Sequence, residues 1–72
     1  MAQYNGHKNW THWNVALWIN NDEYLYNTAR QLCKTYNRDK AAWLLLGQLA
    51  EKTPDGASYS FTSVRAALIG MI

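Results

Sequence analysis

The side chains that could do chemistry in this chain are two histidines, one cysteine and a few carboxylates, and their spacing gives them little to work with. His7 and His12 stand five residues apart, a separation with no recognised metal-ligand geometry, and the only other soft ligand, Cys33, falls on an apolar helical stretch. A histidine acting as a general base would need a nucleophile, an orienting carboxylate and a concave site. Asp22 and Glu23 are adjacent, where negative charge favours the start of a helix, while Glu51 and Asp55 flank a turn. The glycines, at positions 6, 47, 56 and 70, form no phosphate-cradling pattern. No catalytic residue, no metal and no cofactor is expected, and enzymatic activity is the poorest of the candidate classes.

Residues suited to binding are better represented. Tyr26, Arg30, Lys34 and Asn37 or Arg38 recur at intervals of three or four, with Lys40 just beyond. On a helix this spacing makes a basic stripe with an aromatic at one end. The stripe serves equally as a solvated face or as a contact surface for an acidic protein patch or a phosphate backbone. Trp10 and Trp13, three apart, share a face with Leu17, whereas Trp18 and Trp43 lie elsewhere. Aromatics at such spacings fill cores. Four Trp are more than a small helical core needs, so at least one is expected at the surface, where Trp, Tyr and Arg anchor interfaces. The segment Tyr4 to Asn9 is polar; Asn5-Gly6 suits a turn, and the same edge could reach a partner.

Four short helices are needed to position these groups. Asn9 or Thr11 can cap the first, which runs to about Ile19 and is apolar around nearly its whole circumference. Asn20, with Glu23 three positions on, can cap a second from about Asp22 to Tyr36, whose Leu25, Ala29, Leu32, Cys33 and Tyr36 share a face. Asp39 can cap a third from Lys40 to about Glu51, turning Ala42, Leu45, Leu46 and Leu49 inward. Gly47 inside it costs about 1 kcal/mol relative to Ala unless close packing needs the missing side chain. Thr53-Pro54-Asp55-Gly56 is a turn, because Pro fixes φ and Asp and Gly suit the following positions. Ser60 can cap the last helix, with Tyr59 and Val64 placed as a hydrophobic staple; Tyr59 to Val64 suits a strand equally well on propensity, but no partner strand is expected for it.

Composition agrees with one small domain over 1–72: an all-α, compact bundle of about four short helices with a polar N-terminal arm over 1–8. The chain has 72 residues, 49% hydrophobic, 17% charged and 14% aromatic. At this length folding buries only about 60% of the unfolded surface, so aromatics must supply much of the core. One cysteine excludes an internal disulfide framework. Neither a membrane span nor a signal peptide is expected, which places the protein in a cytoplasm. The net charge of +2 is too mild to argue for nucleic acid by itself, and has the wrong sign for an acidic nucleic-acid mimic.

The segment from Tyr4-Asn5-Gly6-His7-Lys8-Asn9-Trp10 through Leu17-Trp18-Ile19-Asn20-Asn21-Asp22-Glu23 resembles the opening of a group of small, mostly uncharacterised phage and mobile-element proteins. Their pattern is Tyr-Asn-Gly, two residues, Asn, two or three residues, Trp, a few residues, Leu-Trp and then Asn-Asp/Glu. It covers about the first third of the chain, and His7 stands where the group has its middle Trp. The resemblance implies a phage or phage-derived source, and with it the bacterial host cytoplasm. Phage proteins of this size often bind a host machine, including the restriction and CRISPR systems that phages evade. The expectation is a non-enzymatic inhibitor that binds such a host protein or ribonucleoprotein complex through Tyr26, Arg30, Lys34 and Arg38, helped by Asn9 and Trp10. The alternative is a small phage nucleic-acid-binding accessory protein. A third possibility is a homo-oligomer held by the apolar faces of the first and last helices, since Ala66, Ala67, Leu68, Ile69, Met71 and Ile72 leave few polar positions near the end.

Overall fold

Asn9 arrives in extended backbone and caps the first helix, α1 (Trp10–Asn21), its Oδ1 accepting the His12 N–H at 3.0 Å. A computed structural model describes residues 9–69, so the expected arm over 1–8 lies outside the described residues. Three more helices follow: α2 (Glu23–Thr35), α3 (Arg38–Leu46) and α4 (Phe61–Ile69). Among the described residues there is no strand, only an isolated antiparallel bridge between Lys52 and Ser58.

Two caps differ from the sequence expectation. Asp22, not Asn20, caps α2, accepting the Leu25 N–H at 3.0 Å. Asn20 is still inside α1, where its amide donates back to the Ala16 carbonyl at 2.8 Å. Likewise Asn37, not Asp39, caps α3 through the Lys40 N–H at 2.8 Å, so Asp39 becomes a first-turn acid. α3 also ends at Leu46 rather than near Glu51. Gln48 and Leu49 then donate to Leu45 and Leu46 in tighter turns, and the chain leaves the helix. Ser60 caps α4 as expected: its Oγ accepts the Ser63 N–H at 3.1 Å, while the Ser63 Oγ accepts the Ser60 N–H at 2.9 Å, a reciprocal pair.

The main packing runs round a ring in which α1 touches α2 and α4, and α3 touches α2 and α4. Val15 and Ile19, Ala29, Ala41, Ala42 and Leu45, and Val64, Ala67 and Leu68 meet inside it. Four of those nine are alanines, so the helix backbones approach closely without large side chains between them. Of the residues expected to hold a homo-oligomer near the end of the chain, Ala67 and Leu68 are buried inside the molecule, Ile69 is exposed, and Met71 and Ile72 lie outside the described residues.

The connection from α3 to α4 is a tight, hydrogen-bonded loop. The Gly56 N–H donates to the Thr53 carbonyl at 2.9 Å, closing a turn with Pro54 and Asp55 at its centre. Gly56 has φ +95, a left-handed conformation that a side chain would strain. Thr53 N–H to Ala57 O at 2.8 Å and Tyr59 N–H to Glu51 O at 3.1 Å hold the stems together.

Candidate functional site

Residues of α2 divide by helical position into a core line, through Ala29, and two flanks. Tyr26, Arg30 and Lys34 recur every fourth residue and occupy one flank. Arg30 and Lys34 are exposed, and Tyr26 is half-buried with the Arg30 guanidinium 5.7 Å above the centre of its ring. Arg38, exposed at the first position of α3, carries positive charge across the Asn37 cap. Lys40 follows, its ammonium 5.7 Å above the Tyr36 ring. Arg30 and Lys34 on α2 and Arg38 and Lys40 in the first turn of α3 are all exposed, and two of them, Arg30 and Lys40, lie over tyrosine faces.

Little negative charge offsets this group. The acids of α2, the Asp22 cap and Glu23, sit at the far end of that helix. Asp39 lies at the α2–α3 junction but is held by the Arg65 guanidinium, the one ion pair among the described residues. Lys34 sits in the last turn of α2, where the helix dipole favours a cation.

At the same junction a recess of ≈ 220 Å³ is lined by Cys33, Tyr36, Asn37 and Arg38. Burial pushes the Cys33 thiol up, and the Arg38 guanidinium opposes that shift only in part. The thiol therefore stays protonated and is a weak nucleophile at neutral pH. Among the described residues no group of three or more His, Cys, Asp and Glu could hold a metal ion.

The other expected contact residues stand apart. Asn9 and Trp10 begin α1; the Asn9 side chain is committed to its cap, and Trp10 is exposed. Tyr26, Arg30 and Lys34 thus follow one flank of α2 and Arg38 opens α3, while Asn9 and Trp10 stand at the start of α1. Tyr36, expected on the inward face of α2, is exposed, because at the extended C-cap it has left the helix.

Two features escaped the sequence reading. Asn14 is fully buried, its amide donating to Asp55 Oδ2 at 2.9 Å and its carbonyl accepting the Thr53 hydroxyl at 2.7 Å. The same Asp55 oxygen accepts the Trp18 indole N–H at 2.9 Å, and the Thr53 hydroxyl accepts the Ala57 N–H at 3.0 Å. The hydrogen bond from Asn14 first, and that from Trp18 second, hold the Asp55 carboxyl below the usual carboxylate range. This set ties the loop to α1 and serves structure. The second feature is Trp43, 59% exposed and stacked on Phe61 with ring centres 4.5 Å apart. An expected surface Trp was legible in the count; its identity and its ring partner required the α3–α4 pairing.

The chain belongs to a family of unknown function, DUF7249, whose model matches residues 1–72. No curated protein and no solved structure matches it. Among the described residues no helix is long and apolar enough to cross a membrane.

Proposed function

We propose that this chain is a non-enzymatic binding protein, a phage-encoded inhibitor that attaches to a host defence complex, a CRISPR effector or restriction machinery, in the bacterial cytoplasm and blocks it sterically. The observation that carries the reading is the basic flank: Arg30 and Lys34 are exposed on α2 and Arg38 at the start of α3, and Asp39, next to Arg38 in the chain, is engaged by Arg65. Such a surface is complementary to an acidic protein patch or to exposed phosphates of a ribonucleoprotein's own nucleic acid. Tyr26 beneath Arg30 preorganises one cation and lowers the ordering cost of binding. The choice of a defence complex as target rests on the N-terminal resemblance to phage proteins.

The test is charge reversal. An Arg30→Glu, Lys34→Glu double variant exposes both new side chains on a solvated flank and should keep the helicity of the wild type. Affinity capture from a lysate of phage-susceptible bacteria should recover a defence complex with the wild type and lose it with the variant. Undiminished recovery by a folded variant contradicts the assignment to this flank. Direct phosphate binding is the rival reading, and it predicts tight association of the purified protein with generic DNA that weakens steeply with added salt.

A further inference from the structure

The outer faces of α3 and α4 pair residues in an antiparallel ladder. Asp39 of α3 meets Arg65 of α4, and one turn along Trp43 meets Phe61. Ile69, one turn beyond Arg65, is 49% exposed. Both indole and ion pair face solvent: Trp43 is 59% exposed, and the Asp39 and Arg65 side chains keep 64% and 39% of their surface. Among the described residues only Arg65 Nε and Asp39 Oδ1 are used in this pair. The two terminal guanidinium nitrogens and Asp39 Oδ2 have no hydrogen-bond partner among the described residues, so each charge retains capacity for a second contact.

We propose that this face binds the same face of a second copy of the chain. A two-fold axis running parallel to the helices lays α3 of one protomer over α4 of the other. Asp39 then opposes the partner's Arg65, Arg65 opposes the partner's Asp39, and each Trp43 covers the other protomer's Phe61. The face is charge-neutral and self-complementary under that operation, as an isologous interface requires. A uniformly acidic or basic partner would meet one opposed charge for every matched one, which disfavours it here. Size sets the strength: two nine-residue helices span about 14 Å in length. Their joint footprint is on the order of 300 Å², below the roughly 800 Å² per partner of a standard interface, so the dimer is a weak one. It leaves the basic flank of α2 free, and pairing two such flanks makes the assembly bivalent.

Sedimentation equilibrium of the full chain, from about ten to several hundred micromolar, tests this. The wild type should rise from the 8.3 kDa monomer toward twice that mass at the top of the range. Asp39→Arg alone carries two positive charges on the face, and Arg65→Asp alone carries two negative ones; each should remain monomeric. An equimolar mixture of these two variants should dimerise, because every interchain contact is again between opposite charges, whereas the intrachain pair stays broken in both. Trp43→Glu should remain monomeric, with circular dichroism confirming that every variant is helical. A wild type that stays monomeric throughout overturns the proposal. So do folded single variants that self-associate like the wild type, a mixture that fails to associate, or a Trp43→Glu protein that still dimerises.

Discussion

Asn14 is a buried amide on an apolar helix, and it is tolerated because both ends of its side chain are satisfied, by Thr53 and Asp55. Asn14→Ala leaves the buried Thr53 hydroxyl short of an acceptor and releases Asp55, a loss of about 1–3 kcal/mol that urea unfolding would register. Asp55 adds a pH dependence of definite sign. Its folded pKa is depressed, so its contribution is complete above the unfolded carboxylate value near ~3.9 and is lost as pH falls through the folded value. Between pH 7 and pH 3 the wild type should therefore lose more stability than Asp55→Asn; equal losses would show that the carboxylate does not tether the loop. This network was invisible in the sequence because its members lie about forty positions apart, and nothing local separates a buried Asn in an apolar run from an exposed one. The spacing of four that links Tyr26, Arg30 and Lys34, by contrast, lies within α2 and could be read directly, whereas Arg38, expected on the same helix, begins α3.

At the scale of elements, helix number and order were legible, and the ends less so. Capping residues compete over short distances: Asn20 and Asp22, or Asn37 and Asp39, are each chemically suitable, and packing of the neighbouring helices decides which one leaves the helix. Leu49 extends the apolar spacing of α3 to its expected end, yet the chain turns away at Gly47, with Leu49 packed beside the core from the loop. Gly47 itself has φ −64 and ψ −16, and a Cβ there would meet backbone oxygens of Leu44 and Trp43 at an ordinary 3.6 and 3.8 Å. No close packing requires the glycine. Gly47→Ala should raise stability by about 0.4–1 kcal/mol through the unfolded state. Gly56→Ala, at φ +95, should lower it by about 1–2 kcal/mol. Thermal melts of the two variants should shift in opposite directions.

For the whole molecule, length and composition pointed to one small domain and capping and apolar spacing to helices, whereas the ring order and the surface left over depended on three-dimensional pairing. Trp43 is outside that core because alanines at 41 and 42 already bring α3 against its neighbours. Charge is distributed with similar consequence: a modest +2 overall conceals the exposed cations on α2 and at the start of α3. If those cations recognise a protein or ribonucleoprotein, binding to generic DNA should be negligible at physiological salt, and electrophoretic mobility at two ionic strengths would reveal otherwise. The most direct measurement is phage plating on bacteria with an active CRISPR or restriction system, comparing cells that express the wild type with cells that express equal amounts of the helical Arg30→Glu, Lys34→Glu variant. Plating should be restored by the wild type and not by the variant; no restoration by the wild type against either system, or equal restoration by both proteins, would contradict a blocking role for the basic flank.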